Sequence, residues 1–223
     1  MERIQTGNRS LDAAFAGGIA PGTVLLLRGE EGAGATEFAL TVLRSATRQS
    51  RGARFASALR SPRRVRHEYA ELFEDGDGGL GLEVKPLLGE MARADPAGVL
   101  GGLRAGDVLV LESADALAPP GDGVSLLPFW REVADAAGEA GVVLLLLDSP
   151  GTLPPAVDAS LAEAADGVLE FTWKDGGPVR RRVLALTKLR GLAPALDGGE
   201  VPVFEVALHR GVGFTVSRGK SVL

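Results

Sequence analysis

A glycine-rich stretch that follows an apolar run constrains the fold of this chain more than any other feature. Residues 29–36 read Gly-Glu-Glu-Gly-Ala-Gly-Ala-Thr. The spacing matches Gly-x4-Gly-Lys-Ser/Thr, a loop whose backbone N–H groups cradle phosphates while its lysine contacts the phosphates and its hydroxyl holds magnesium. Ala35 stands where that pattern has lysine, whereas Thr36 keeps the hydroxyl. The sequence therefore predicts a phosphate-binding loop that lacks its main positive charge.

The residues around this loop predict alternating strands and helices. Residues 23–28 form a short apolar run before the loop, and residues 36–49 carry apolar side chains at helical spacing after it. Further strands are predicted at residues 54–59, 108–111 and 142–147, and further helices at residues 11–15, 63–73 and 126–140, the first two capped by Ser10 and Ser61. This alternation indicates a parallel sheet covered on both faces.

The last third of the chain has a different pattern. Its apolar residues alternate with polar ones, and glycine-rich turns separate the runs at residues 168–173, 181–187, 202–208 and 213–216. Such alternation is typical of antiparallel strands. We therefore expect an antiparallel C-terminal extension of the sheet, within a single domain that spans residues 1–223.

Composition excludes several classes of function. The chain has no cysteine and two histidines, so that it contains no disulfide framework or thiolate metal site, and zinc is disfavoured. Its net charge of −5 does not favour attraction to nucleic acid or to an anionic membrane. No apolar run is long enough to span a bilayer. These observations predict a cytoplasmic protein.

Six short motifs follow one another in a fixed order along the chain. They are Thr6-Gly7-x-x-x-Leu11-Asp12, Gly17-Gly18-Ile19-x-Pro21-Gly22, the loop at 29–36, the strand at 107–113, Ala165-Asp166-Gly167-Val168 and Lys188-Leu189-Arg190-Gly191. With these motifs the chain resembles the KaiC-like group of RecA-superfamily ATPases over almost its whole length. The resemblance implies an α/β fold: a RecA-like three-layer P-loop domain with a mainly parallel central sheet and an antiparallel C-terminal extension.

The resemblance also implies a ligand, ATP or ADP with magnesium. The nucleotide would bind at Gly29, Gly32, Ala33, Gly34, Ala35 and Thr36, and the metal at Thr36 and Glu112. Glu112 takes the place of the usual Walker B aspartate, and its extra methylene disturbs an octahedral magnesium shell. Loss of the lysine, a partner worth roughly 1.5 to 3 kcal/mol, weakens phosphate binding by about 10- to 150-fold. Arg28 is a candidate replacement for that charge.

Two further positions depart from the family pattern. In KaiC-like ATPases a pair of glutamates orients the attacking water just before a Ser/Thr-Pro helix start. Aligned on Ser61 and Pro62, those positions hold Leu59 and Arg60. The general base is therefore predicted to be missing, and Glu68 and Glu71 are better explained as surface residues of the next helix.

Lys188 and Arg190 resemble the family's Lys-x-Arg-Gly finger, which reaches the γ-phosphate bound to a neighbouring subunit. Alternate residues of a strand point to one face, so that both side chains can reach one partner. An alternative is an edge strand with protective basic residues. The arginine clusters at residues 60–66 and 180–182 lack interleaved aromatic residues, which favours solvated faces or an acidic partner over nucleic acid.

Taken together, these features predict a KaiC-like ATPase homologue with a degenerate Walker A motif. It would hydrolyse ATP very weakly or not at all, bind ATP or ADP weakly, and act as a regulatory or assembly subunit. Its partner would be a protein, either further copies of the chain or a catalytically active paralogue. The alternatives are an active ATPase that uses substitute residues and a DNA-binding recombinase accessory protein.

Overall fold

A nine-stranded sheet organises the computed structural model, which describes residues 2–70, 82–87, 95, 97–113, 127–175, 179–191, 201–209 and 213–218. The strands are β1 Val24–Gly29, β2 Ala53–Ser57, β3 Leu82–Pro86, β4 Val108–Glu112, β5 Val143–Asp148, β6 Gly167–Asp175, β7 Arg180–Leu189, β8 Val203–His209 and β9 Gly213–Arg218. Their order across the sheet is β3-β2-β4-β5-β1-β6-β7-β8-β9. The first six in this order pair in parallel and the last three join antiparallel. The predicted fold class is confirmed.

Helices cover both faces of this sheet. They are α1 Arg9–Ala14, α2 Ala35–Arg48, α3 Pro62–Glu68, α4 Leu127–Ala140 and α5 Pro155–Ala164, with a 3-10 helix at Ala97–Leu100. Ser61 caps α3 as predicted, by accepting a hydrogen bond from the backbone N–H of Arg64. The predicted cap of α1 is wrong: Asn8, two residues before Ser10, is the cap, because its side chain accepts from the amides of Ser10 and Leu11 in the first turn.

Two apolar layers hold the helices against the sheet, because successive side chains of a strand point to opposite faces. Leu25 and Leu27 of β1 pack on one face with α2, including Phe38. Leu26 packs on the other face, in the cluster that contains Trp130 of α4. The result is the predicted three-layer arrangement, with β1 buried between the two helical layers.

An aromatic cluster ties the antiparallel extension to α2. The ring centroid of Phe38 lies 5.6 Å from that of Phe171 on β6 and 5.3 Å from that of Phe214 on β9. The backbone N–H of Phe214 also donates to the hydroxyl of Thr41 on α2, at 3.3 Å. The last strand is therefore packed directly onto the helix that follows the glycine-rich loop.

The carboxyl ends of the parallel strands meet at one edge of the sheet, which is where ligands bind in open α/β sheets. Gly29 ends β1 and leads into the loop at this edge. Ser57 at the end of β2 is the register partner of Glu112 at the end of β4. Arg28 is the register partner of Asp148 at the end of β5. The predicted loop and the predicted Walker B residue, Glu112, therefore lie at the same edge of the sheet.

Several element boundaries differ from those expected. The predicted strand at residues 54–59 ends at Ser57, so that Leu59 and Arg60 lie in the turn that follows it. The predicted helix at residues 63–73 begins at Pro62 and is described as far as Glu68; its last residues, from 71 on, lie outside the described residues. Among the described helices, none is long and apolar enough to cross a membrane.

Ile4 of the N-terminal segment forms an antiparallel backbone bridge with Ile19. This bridge brings the carbonyl oxygen of Ile4 close to Gly18. A Cβ atom at Gly18, where φ is 118°, would lie 2.6 Å from the carbonyl oxygen of Ile4, whereas one at Gly151, where φ is 81°, would meet nothing within 4 Å. Gly18→Ala should therefore lower the free energy of unfolding by about 1–3 kcal/mol more than Gly151→Ala, because only the former adds a clash to the backbone strain. Urea denaturation of both variants measures the difference, and equal losses would contradict the contact.

Candidate functional site

The glycine-rich loop joins β1 to α2 in the geometry that its spacing predicts. Gly32 has φ 72° and Gly34 has φ 109°, both in the left-handed region that glycine adopts without strain. Gly34 is the N-cap of α2, and Ala35 is its first residue. The first amides of a helix have no acceptor within the helix, so that the N–H groups of Ala35 and Thr36 are available to an anion.

The close approach of the loop ends explains the first glycine. A Cβ atom at Gly29 would lie 2.6 Å from the Cβ atom of Ala35, so that any larger residue would push β1 away from α2. Ala35 is buried, and Thr36 is half-buried beside it. Ala33 donates its backbone N–H to the carbonyl oxygen of Glu30 at 2.9 Å, which closes the turn. The backbone cradle is therefore complete without the lysine.

Trp173 of β6 and Arg182 of β7 hold the loop from outside, and we call this pair the loop clamp. The indole N–H of Trp173 donates to the carbonyl oxygen of Glu31 at 3.0 Å. Nε of Arg182 donates to the carbonyl oxygen of Gly32 at 2.8 Å. The guanidinium carbon of Arg182 lies 4.4 Å from the centroid of the Trp173 ring, within the range of a cation–π interaction.

The strand register explains why these residues reach the loop. Gly29 at the end of β1 pairs with Phe171, so that the last four residues of β6 extend past β1 and alongside the loop. Trp173 in this extension is paired with Arg182 of β7. Arg181 points to the opposite face, where it forms an ion pair with Glu205 at 3.6 Å. The arginine cluster at residues 180–182 is thus divided between the two faces, which sequence reasoning did not reveal.

Arg28 does not replace the missing lysine. Its Nη2 donates to the carbonyl oxygen of Asp158 on α5 at 3.1 Å and also to the Asp158 carboxylate. Its Nε lies 3.8 Å from Asp148. Arg28 therefore points to the face of the sheet that α4 and α5 cover. The helix that follows the loop, α2, lies on the other face. Strand alternation places Arg28 on the α4 and α5 face, together with Leu26.

Glu112, the predicted Walker B residue, is buried and accepts hydrogen bonds from two side chains. The hydroxyl of Ser57 donates to Oε2 of Glu112. Nε of Arg60 also donates to Oε2, at 3.1 Å, and Nη2 of Arg60 donates to Oε1. Arg60 and Glu112 thus form a two-pronged ion pair in which both carboxylate oxygens are used.

Residues of α3 hold the other side of the Arg60 guanidinium. Its Nη1 donates to the carboxylate of Glu68 and to the hydroxyl of Tyr69, the latter at 3.2 Å. The guanidinium carbon lies 5.1 Å from the centroid of the Tyr69 ring. Nε of Arg64 donates to the second oxygen of Glu68 at 2.7 Å. Arg60 is therefore fixed between two carboxylates.

The electrostatics of this cluster keep Arg60 charged. Burial lowers the pKa of Arg60, but its hydrogen bonds with Glu112 and Tyr69 raise that pKa by more, so that it stays above its ordinary value. The hydrogen bonds from Arg64 and Arg60 lower the pKa of Glu68. Burial raises the pKa of the Tyr69 hydroxyl, and Arg60 offsets part of that effect.

The described residues suit a phosphate group better than a magnesium ion. The loop offers backbone N–H groups and the Thr36 hydroxyl. Magnesium needs oxygen ligands in near-octahedral geometry, yet both oxygens of Glu112 already accept hydrogen bonds. Within the described part of the chain, no group of three or more acidic or histidine side chains could hold a metal ion. Metal binding at Glu112 and Thr36 stays a prediction, and the geometry disfavours it.

Leu59, the other residue at the expected glutamate positions, has a side chain that is 70% exposed. Its backbone N–H donates to the hydroxyl oxygen of Ser57 at 3.2 Å. Neither Leu59 nor Arg60 can accept a proton from water. At both positions, the side chain therefore lacks the chemistry of a general base.

Lys188 and Arg190 share a partner, but that partner lies in the same chain. Nζ of Lys188 donates to the carbonyl oxygens of Ala162, Glu163 and Ala165 at the end of α5, at 2.6, 3.1 and 2.7 Å. Nη2 of Arg190 donates to the carbonyl oxygen of Glu163 at 2.6 Å. Burial, followed by repulsion from Arg190, lowers the pKa of Lys188. A contact with a neighbouring subunit stays a prediction.

Comparisons with known proteins agree with this fold. The model of the family described as "Family of unknown function (DUF7125)" matches residues 3–204. The flagellar accessory protein FlaH from Methanocaldococcus jannaschii superimposes with a TM-score of 0.77 at 15% identity, over 98% of this chain and 100% of its own. The KaiC-like protein PH0186 from Pyrococcus horikoshii gives a TM-score of 0.72 at 18% identity, over 96% of this chain and 98% of its own. No curated protein matches the sequence.

These likenesses confirm the predicted RecA-like, KaiC-like fold. At 15% and 18% identity they show the fold alone, and the roles of individual residues do not transfer with it.

The loop clamp generates a prediction about local stability. Arg182→Gln should remove the hydrogen bond to Gly32 and the cation–π contact with Trp173, and so lower the opening free energy of the loop by about 1–2 kcal/mol. Hydrogen exchange of the hydrogen-bonded amides of Glu30 and Ala33 should accelerate by roughly 5- to 30-fold. Arg181→Gln is the matched control, because Arg181 lies next to it on the opposite face. Equal exchange in the two variants would contradict the clamp.

Proposed function

The chain belongs to the DUF7125 family, and we propose that it is a KaiC-like ATPase homologue that hydrolyses ATP very weakly or not at all and acts as a regulatory or assembly subunit. The observation that carries this proposal is the pair of residues after β2. Where the resembling ATPases have two glutamates, this chain has the exposed Leu59 and the cationic Arg60. General-base catalysis needs a proton acceptor within reach of the attacking water. Neither residue supplies one.

We propose that the loop binds the phosphates of ATP or ADP weakly. The left-handed Gly34 and the first-turn amides of α2 support this part of the proposal, because they form a cradle that needs no side chain. Ala35 removes the lysine, and Glu30 and Glu31 add negative charge near the phosphates. The expected affinity is therefore about 10- to 150-fold below that of a loop with lysine.

We propose a protein partner, either further copies of this chain or a catalytically active paralogue. The exposed side chain of Leu59 at the rim of the site supports a contact there, since an apolar residue replaces a polar one at a place the fold leaves open. FlaH, which has the same fold, is described as a flagellar accessory protein, and an accessory role is what we propose for this chain. The absence of cysteine supports a cytoplasmic location.

A second candidate is an active ATPase with a substitute cation. Arg182 favours it, because its guanidinium contacts the loop at Gly32 whereas Arg28 faces away. A DNA-binding role receives less support. Of the two arginine clusters, Arg60 and Arg64 bind Glu68, and Arg182 stacks on Trp173.

We expect the purified chain to release no phosphate from Mg-ATP above the rate of uncatalysed hydrolysis. Ala35→Lys should tighten ATP binding by about 10- to 150-fold, because it restores one charge-assisted hydrogen bond worth roughly 1.5 to 3 kcal/mol. Turnover should remain absent, because Leu59 and Arg60 are unchanged. Isothermal titration calorimetry and a phosphate-release assay measure the two quantities.

Ala35→Met is the control, since it adds length without charge and should leave ATP binding unchanged. Robust turnover by the unmodified chain would overturn the proposal. If such turnover is lost in Arg182→Gln but not in Arg181→Gln, the second candidate is correct.

A further inference from the structure

Arg60 approaches Glu112 because of the turn that follows β2. Ser57 ends this strand opposite Glu112, and its hydroxyl oxygen accepts the backbone N–H groups of Leu59 at 3.2 Å and Arg60 at 2.9 Å. The same hydroxyl donates its proton to Glu112. One side chain therefore both folds the turn and binds the carboxylate. The turn aims Arg60 at the carboxyl edge of β4.

Arg60 and Ser57 together donate hydrogen bonds to both carboxylate oxygens of Glu112. Two nitrogen donors of Arg60 and the hydroxyl of Ser57 are shared between the two carboxylate oxygens. The Glu112 side chain is 9% exposed and the Arg60 side chain 17% exposed, so that water competes little for either. A planar guanidinium matches a carboxylate in this two-pronged geometry better than any other side chain.

A second set of contacts prevents the guanidinium from turning away. Glu68 and the Tyr69 hydroxyl accept hydrogen bonds from Nη1, and the Tyr69 ring lies beneath the guanidinium. Release of Glu112 would therefore require Arg60 to break contacts on both sides. A divalent cation that approached Glu112 would also meet the positive charge of Arg60 at the distance of a hydrogen bond.

From these contacts we propose that Arg60 takes the place of the divalent metal ion in this chain, so that Glu112 binds no metal and the site takes its phosphate ligand free of magnesium. The ligand class is a nucleoside diphosphate or triphosphate without a divalent cation. The ligand part of this inference rests on the proposed function, whereas the exclusion of metal at Glu112 depends only on the residues described above.

Manganese binding to the full chain tests the exclusion of metal, with electron paramagnetic resonance of free Mn²⁺ as the readout. The unmodified protein should bind no Mn²⁺ at Glu112. Arg60→Gln frees the carboxylate and should bind Mn²⁺ where the unmodified protein binds none. Arg64→Gln is the matched control, because Arg64 also binds Glu68 but does not contact Glu112. It should behave like the unmodified protein.

The conservative variant Arg60→Lys provides a second test in case Arg60→Gln does not fold. Arg60→Lys keeps the charge but cannot bind both oxygens at once, and it should show Mn²⁺ binding between that of the unmodified protein and that of Arg60→Gln. Wild-type binding of Mn²⁺ that Glu112→Gln abolishes would overturn the proposal. So would folded Arg60 variants that bind no more Mn²⁺ than Arg64→Gln does.

Titration of the unmodified chain with ADP tests whether the phosphate ligand binds without magnesium. One titration is done in the presence of Mg²⁺ and the other in the presence of EDTA. The two affinities of the unmodified chain should agree within about twofold, because the metal has no ligand at Glu112. A large loss of affinity in EDTA would overturn this part. The readout is separate from phosphate release, so that a failure of the proposed function and a failure of this inference are distinguishable.

Discussion

The structure depends on the burial of β1 between two helical layers and two parallel neighbours. Val24–Gly29 pairs with β5 on one side and β6 on the other, and its leucines are fully buried on both faces. Ligands bind in open α/β sheets at the edge formed by the carboxyl ends of the parallel strands. The loop begins at that edge, and Gly29 permits its closure onto Ala35. The register of β1 with β5 places Arg28 opposite Asp148, and its register with β6 places Gly29 opposite Phe171.

The parts of the site that are local in sequence could be predicted, and the parts that depend on register could not. The loop, Ala35 and the presence of β2 and β4 follow from spacing and apolar runs, although β2 ends two residues earlier than predicted. The contact between Arg60 and Glu112 joins residues 52 positions apart, and that between Arg182 and Gly32 joins residues 150 apart. Such contacts exist only once strand order and register are set. The edge strand β3 was missed because only Val84 of its five residues is buried.

The direction of Arg28 could not be predicted, because a continuous apolar run does not show which residues face which helical layer, whereas an alternating run does. Residues 24–27 are buried on both faces, so that the sequence does not distinguish the α2 face from the α4 and α5 face. Arg28 directly precedes the loop in sequence but belongs to the layer that contains Asp158. Arg182 lies 150 residues from Gly32 in sequence, yet its position on β7 brings it into contact with the loop. Distance along the chain is therefore a poor guide to which cation can compensate for Ala35.

The positively charged side chains near this site are held in place by protein acceptors, unlike the flexible lysine of a P-loop. A P-loop lysine carries its charge on a flexible stem that can follow a phosphate during transfer. Here the cations near the carboxyl edge are guanidinium groups with protein acceptors: Arg60 binds Glu112 and Glu68, and Arg182 binds the loop carbonyl of Gly32. The charge of Arg60 is balanced by Glu112 and Glu68 before any ligand arrives. Interactions that are equally strong before and during a reaction do not accelerate it. They instead stabilise one conformation of the site, which is consistent with the regulatory or assembly role that we propose.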